Sequence, residues 1–309
     1  MTINRPRPAL SIVLFLVVGT ILPRHSALAE RPSPFDLRAY GARQTARLLS
    51  EEPSSAEEDP DNSNVFDDLW YAGKTTVIDA GYIYSSPARL NKSSGLKLAG
   101  FLAVGGLLYA YDQEIYDFFK RNENGSLLKP IRKFGDEVEF IGDGSTMPKY
   151  YLGGLVLGYL TGFDRLTHLT ADLVESYYIA GVVKNVSNKL SGRARPAAGK
   201  GPYFFEFNEG TSFPSGHASN IMQTASILSH HVDFVPFTVA AYTVAVSVFT
   251  QRITGDGHWP SDVYVGAAYG WLIAEEIFER NRNRRLTGQP ILSADSSSHT
   301  VGLLLTFRL

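Results

Sequence analysis

The chain contains no cysteine among its 309 residues, which excludes disulfide bonds, thiol catalysis and thiolate metal ligands. It also lacks an excess of charge of either sign, because 29 basic and 31 acidic residues give a formal net charge of -2. Such a balanced surface has no general attraction for nucleic acid, so a nucleic-acid partner is not expected. Stability has to come from packing, and 44% hydrophobic residues are enough to form a core.

The N-terminal residues have the layout of a targeting segment. Arg5 and Arg7 precede the apolar run 9–22, and small residues follow at Ala27 and Ala29. This pattern predicts a signal peptide over residues 1–29, and therefore a periplasmic or secreted protein. The polar and acidic residues 30–64 cannot bury enough apolar surface to fold, so they are expected to form a disordered lead.

Alternating strand patterns are missing between residues 65 and 285, where apolar residues recur with helical spacing. The pattern therefore predicts an all-α domain, a bundle of about six core helices. The predicted helices are residues 98–111, 149–163, 171–190, 215–231, 234–251 and 260–280. Their uncharged stretches are short for a bilayer, which favours a soluble exported bundle, with peripheral membrane contact as the alternative.

The C-terminal residues 286–309 differ from the rest of the domain. The segment "TVGLLLTFRL" places apolar side chains at every second position, which predicts a short strand-like tail. A lone strand is not stable, so the tail must pack on the body, pair with another chain or lie at a membrane. The sequence leaves the oligomeric state open.

The tetrapeptide "PSGH" opens the predicted helix 215–231. Pro214 suits the first helical position, and Ser215 and Gly216 offer free backbone donors to an anion. His217 lies in the same turn, where it can deliver a proton to a bound group. The alternative is an ordinary helix start with a partly buried histidine.

Two further charged clusters lie at helix ends. In "QRITGDGHWPSD", Asp262 can orient the imidazole of His258, which makes its other nitrogen a better nucleophile, and Arg252 suits a phosphate oxygen. In "NKLSGRARP", Lys189, Arg193 and Arg195 converge where a helix breaks. Alone, these charges suit helix dipoles or a solvated surface. In an antiparallel bundle, however, they meet "PSGH" on one rim.

This set of motifs resembles the type 2 phosphatidic acid phosphatase and vanadium haloperoxidase superfamily. The family signature is a lysine followed six residues later by Arg-Pro, then Pro-Ser-Gly-His, then Ser-Arg, five residues, His, three residues and Asp. Here "PSGH" is intact at 214–217, and Arg252, His258 and Asp262 keep the spacing of the third part. The resemblance covers roughly residues 95–280.

The resemblance implies a metal-independent phosphomonoesterase that acts on a lipid or small-molecule phosphate ester through a phosphohistidine. His258 is then the nucleophile, Asp262 orients its ring, and His217 is the acid and base. The residues implied in phosphate binding are Lys189, Arg195, Ser215, Gly216 and Arg252. No metal is implied.

The chain departs from the signature at two positions. Gln251 stands where the family has serine, and Asn188 stands where it has lysine. Lys189 follows one place later, a rotation of about 100° on a helix, and Lys184 lies one turn earlier. Either lysine can supply the missing cation.

Other functions remain open on the same residues. Vanadate bound in the phosphate pocket would be an inhibitor of a phosphatase or the cofactor of a haloperoxidase, with His258 as its ligand. The change at Asn188 also fits a phosphate-binding or structural homologue with weakened catalysis. A membrane-embedded lipid phosphatase is a further possibility.

Overall fold

The computed structural model describes residues 65–287. This part of the chain forms nine α-helices and contains no strand, which confirms the all-α prediction. The helices are α1 (Val65–Tyr84), α2 (Lys92–Ala110), α3 (Asp112–Asn122), α4 (Leu128–Val138), α5 (Met147–Thr161), α6 (Asp164–Ser191), α7 (Gly216–Val232), α8 (Val235–Thr254) and α9 (Pro260–Thr287). The predicted signal peptide, the acidic lead and the strand-like segment of the tail lie outside the described residues.

All six predicted segments are helices, and α1, α3 and α4 are additional. Helices α3 ("DQEIYDFFKRN") and α4 ("LKPIRKFGDEV") have only 11 residues each and are rich in charge. Their apolar residues therefore form too short a pattern to predict a helix. Four of the six predicted helices are longer than the segments predicted for them, and α6 and α9 have 28 residues each. Helix length was therefore underestimated from the sequence.

Helix α7 lies at the centre of the core, against α6, α8 and α9. Its contact with α9 depends on glycine. A Cβ atom at Gly266 would lie 2.4 Å from the carbonyl oxygen of Ser215, and one at Gly270 would lie 2.5 Å from that of Ser219. Larger residues at these two positions would push α9 away from the start of α7.

Four helix ends meet at one end of the bundle. Helix α6 ends at Ser191, α7 begins at Gly216, α8 ends at Thr254 and α9 begins at Pro260. The connection 192–215 therefore links the first pair of ends, and 255–259 links the second. This arrangement brings the three sequence motifs together, as antiparallel packing predicts.

The opposite end of α9 is held by buried ion pairs. Arg280 and Arg284 bind Asp79 of α1, and Arg285 binds Asp172 of α6. Both carboxylates are fully buried. The basic end of α9 thus holds α1, α6 and α9 together. Its sequence suggested only that these positive charges stabilise the dipole of α9 itself.

Helix α2 is the exception to the buried core. Within residues 65–287 it is the one helix long and apolar enough to cross a membrane, and only 11% of its apolar stretch is buried. Leu96, Leu102 and Leu107 on this helix are exposed. An exposed apolar surface of this extent is unusual for a monomeric soluble protein.

Candidate active site

The first turn of α7 carries the "PSGH" motif. The Ser215 hydroxyl caps the helix by accepting a hydrogen bond from the Ala218 amide at 3.3 Å, and the Ser215 amide donates to the Asp262 carbonyl at 3.0 Å. Gly216 is the first helical residue. The start of α7 is therefore fixed to the start of α9, and its first backbone amides are suited to bind an anion.

Lys184 of α6 lies directly beside Gly216. A Cβ atom at residue 216 would be 3.2 Å from Lys184 Cε. The positive charge of Lys184 also lowers the pKa of His217. By contrast, Lys189 is exposed, and Asn188 is buried with its Oδ1 unpaired. The structure thus brings Lys184 into the cluster and leaves Lys189 outside it.

A matched pair of variants tests this choice. Lys184→Met is expected to lower kcat/KM for a phosphate ester by about 10²-fold, the effect of losing one donor to a developing anion. Lys189→Met is expected to stay within about twofold, because an exposed cation outside the site contributes little. Steady-state kinetics on both variants decides between them, and a larger loss in the Lys189 variant would reverse the assignment.

His258 is buried at the junction of α8 and α9, and its Nδ1 lies 2.7 Å from the Ser212 carbonyl oxygen. The Nδ1–H group donates this bond, so Nε2 keeps its lone pair. Burial and the charge of Arg195, with smaller contributions from His217 and Arg252, lower the pKa of His258 to about 3. The imidazole is therefore neutral and ready to act as a nucleophile.

The sequence prediction for Asp262 requires a correction. Its carboxylate accepts hydrogen bonds from the Ser212 hydroxyl at 2.5 Å, the Trp259 amide at 2.9 Å and the Arg193 guanidinium at 2.6 Å, and the ring of His258 is not among these partners. The bond to Trp259 is a capping contact at the start of α9, which occupies the carboxylate. Asp262 therefore orients His258 indirectly, because Ser212 binds both residues.

The sequence predicted that Arg193 would join the basic cluster at the rim, and this prediction is wrong. Arg193 is 1% exposed and donates to Asp262 at 2.6 Å and to Asp112 at 2.7 Å. The same guanidinium binds the Ser261 hydroxyl at 2.8 Å and the Pro202 carbonyl at 2.9 Å. This buried network fastens the connection 192–215 to the starts of α3 and α9.

Sequence reasoning missed three residues that hold the side chains of the candidate site in place: Asp112, Ser212 and Ser261. Asp112 accepts hydrogen bonds from both the amide and the hydroxyl of Ser261, at 2.8 and 2.5 Å. Burial raises the pKa of Asp112 to about 6, against the opposing effect of Arg193. No motif marks these residues, since Asp112 lies 81 positions from its partner Arg193.

The two arginines predicted to bind phosphate, Arg195 and Arg252, have different surroundings. Together with burial, the charge of Arg195 lowers the pKa of both His258 and His217. Arg252 pairs with Glu139, and its Nε donates to Gln251 Oε1 at 2.5 Å. The glutamine that replaces the family serine thus helps to orient Arg252.

His217 faces a carboxylate on the segment 139–146. Hydrogen bonds from Ser145 and Thr146 lower the pKa of Asp143 to about 2, so it is ionised at neutral pH. Asp143 raises the pKa of His217, but burial, Arg195 and Lys184 outweigh it, and the pKa lies below its usual value. His217 can therefore exchange a proton in the acidic range.

The geometry agrees with the comparison to known proteins. Residues 169–285 match the family model of the PAP2 superfamily. The PAP2 match runs from within α6 to the end region of α9, so it includes both imidazoles and the predicted phosphate-binding residues but not Asp112, Glu139 or Asp143.

One curated relative is the lipid A 1-phosphatase of Porphyromonas gingivalis, which is 32% identical over 111 residues. The alignment covers 35% of this chain and 22% of that protein. The matched length is thus a small part of the relative. No solved structure matches the chain significantly. Within the described PAP2 region and the helices before it, no group of three or more histidine or acidic residues could hold a metal ion.

Proposed function

We propose that this protein is an exported, metal-independent phosphatase that hydrolyses a phosphate ester through a phosphohistidine on His258. The observation that carries the proposal is the state of His258: buried, neutral, with Nδ1–H held by Ser212 and with Arg195 and Arg252 close enough to affect its pKa. A neutral imidazole beside arginines is suited to attack a phosphorus atom whose oxygens those arginines bind.

In the first step, Arg195, Lys184 and the Gly216 amide hold the phosphoryl oxygens, with Arg252 as a further ligand. The Nε2 lone pair of His258 forms the N–P bond as the bond from phosphorus to the alcohol oxygen breaks. Protonated His217 gives its proton to that oxygen, and the alcohol leaves uncharged. The product is a phosphorylated His258 and a neutral His217.

In the second step, neutral His217 takes a proton from water, whose oxygen attacks the phosphorus. The N–P bond breaks, inorganic phosphate leaves, and both histidines return to their starting states. Catalysis comes from positioning and charge neutralisation, which phosphoryl transfer mainly requires. No step needs a metal ion. Vanadate, as a phosphate mimic, is expected to occupy the same site as an inhibitor.

The experiment is to incubate the full chain with an aryl phosphate in the presence of EDTA and to measure release of phosphate. Rapid quenching with ³²P-labelled substrate is expected to trap label on His258 in an alkali-stable, acid-labile form. Turnover without such an intermediate would refute the mechanism. Halide oxidation with added vanadate and peroxide would support a haloperoxidase instead, and tight phosphate binding without turnover would indicate a binding protein.

The pKa shifts predict an acidic optimum. Attack requires neutral His258, so kcat/KM falls as the pH drops toward about 3. Protonation of the leaving group requires protonated His217, whose pKa is lowered, so kcat/KM also falls as the pH rises through a value below 6.5. The profile of the free enzyme is therefore a bell confined to acidic pH.

Asp143→Asn is expected to move the alkaline limb of this bell to lower pH, because the carboxylate raises the pKa of His217. The control is Asp164→Asn, at the first residue of α6 and far from its site end. An alkaline limb that stays in place or moves upward in the Asp143 variant would contradict the assignment of His217 as the acid.

A further inference from the structure

Helix α6 presents a row of three polar side chains to the start of α7. Lys184, Asn188 and Ser191 are spaced by four and three residues, which places them on one face of α6. At one end of the row, the stem of Lys184 lies against Gly216. At the other end, the Ser191 hydroxyl donates to the Phe213 carbonyl at 3.2 Å. Asn188 therefore lies between these two contacts, opposite the first residues of the "PSGH" motif.

The side chain of Asn188 has an unused hydrogen-bond acceptor. Asn188 is only 6% exposed, and its Oδ1 atom has no partner in the described part of the chain. Its backbone carbonyl is already bound by the Gly192 amide at 3.0 Å. A buried acceptor without a donor costs about 1–3 kcal/mol, so such an atom in a folded protein needs an explanation. Because Oδ1 can only accept, its missing partner has to be a hydrogen-bond donor.

The groups that hold the phosphoryl oxygens in the proposed mechanism are all donors. The side chains of Lys184, Arg195 and Arg252 carry no acceptor atom. The Gly216 amide is a donor as well. Such groups suit the bare oxygens of a phosphate dianion, but they leave a protonated phosphoryl oxygen without an acceptor.

A phosphate ester carries such a proton under the conditions expected for the reaction. The second pKa of a phosphate monoester is about 6, so at acidic pH the ester is mostly a monoanion with one P–OH group. A lysine at position 188, as in the family signature, could only donate. Asn188 removes one positive charge from this position and adds an acceptor. Both changes match a substrate that has one negative charge fewer and one proton more.

We propose that Asn188 makes the site selective for the monoprotonated form of a phosphate ester, whose P–OH group donates a hydrogen bond to Asn188 Oδ1. This inference rests on the proposed function and adds to it the ionisation state of the substrate. The proton stays on the same phosphoryl oxygen while the N–P bond forms and breaks, so the product leaves as H₂PO₄⁻. Asn188 touches the substrate and determines which form of it is bound.

The selectivity is tested by binding, without a catalytic step. At about pH 5, inorganic phosphate is H₂PO₄⁻ and carries P–OH donors, whereas sulfate has the same tetrahedral shape and no proton. Isothermal titration calorimetry on the full chain gives the Kd of each anion. The parent protein is expected to bind phosphate about tenfold more tightly than sulfate, the effect of one hydrogen bond, although sulfate carries the larger charge.

Three variants show whether Asn188 causes this preference. Asn188→Leu has a similar size and no acceptor, so it is expected to lose the preference for phosphate. Asn188→Lys is expected to prefer sulfate, because lysine only donates and adds a positive charge. Lys189→Met is the control and is expected to bind both anions as the parent does, since Lys189 is exposed and lies outside the site.

The outcomes separate this inference from the proposed function. Equal binding of phosphate and sulfate by the parent, or a leucine variant that keeps the preference, would overturn the selectivity and leave the phosphatase proposal intact. A parent that binds neither anion would refute the phosphate site, and with it both proposals. A parent that shows the preference but releases no phosphate from an ester would retain the selectivity of the site and refute the proposed reaction.

Discussion

Replacement of His258 by alanine is expected to lower kcat/KM for aryl phosphate by at least about 10³-fold, the scale seen when a nucleophile is removed from a catalytic set. The effect is large because His258 is the imidazole in the described site whose Nδ1–H is bound by a backbone carbonyl. Its other nitrogen is left for attack on phosphorus. In the variant, Arg195 and Arg252 still bind the phosphate ester, but the site has no nucleophile to attack it.

The measurement is phosphate release by the parent and the variant, with thermal unfolding of both to verify the fold. His230→Gln is the matched control, because His230 binds Glu275 and stacks on Phe278, away from the site. That variant is expected to keep its activity. Retention of a tenth or more of the parent rate, about 1.4 kcal/mol or less in transition-state stabilisation, would exclude His258 as the nucleophile.

The second large effect is on stability. Asp112→Ala is expected to lower the free energy of unfolding by about 3 kcal/mol, because the buried Arg193 keeps Asp262 but loses one of its two carboxylate partners, and the buried hydroxyl and amide of Ser261 lose their acceptor. Arg193 is 1% exposed, so water cannot replace the lost carboxylate. The connection 192–215 should then loosen, and His258 should lose its fixed orientation because Ser212 lies in that connection.

Thermal and denaturant unfolding of the full chain check this result. Asp136→Ala is the control, since Asp136 and Arg132 form an exposed pair with a nitrogen–oxygen distance of 3.5 Å. Such a pair contributes about 0–1 kcal/mol. If the Asp112 variant loses no more stability than the Asp136 variant, the buried network does not hold the connection in place.

The sequence predicted the features that depend on local pattern. The helices of the bundle follow from apolar spacing, and the meeting of "PSGH" with His258 and Arg195 follows from helix ends on one rim. The family, now supported by the PAP2 match, followed from the same motifs.

The features that sequence reasoning missed or left open depend on side-chain direction and on distant partners. Arg193 and Arg195 are two residues apart in the extended connection, yet the first points into the core and the second remains exposed. Lys184 precedes Asn188 by four residues, so both share a face of α6, while Lys189 is rotated away by about 100°. Only folding places Asp112 opposite Arg193, because no spacing rule joins them.

The carboxylate of Glu139 on Arg252 has a consequence for the end of the catalytic cycle. A phosphate ester that binds Arg252 has to replace the Glu139 carboxylate. The contribution of Arg252 to the affinity for the ester is therefore the difference in free energy between the two ion pairs. When inorganic phosphate departs, Glu139 can re-form its pair with Arg252, so this guanidinium is not left bare. In the proposed mechanism, this exchange is expected to weaken product inhibition by inorganic phosphate.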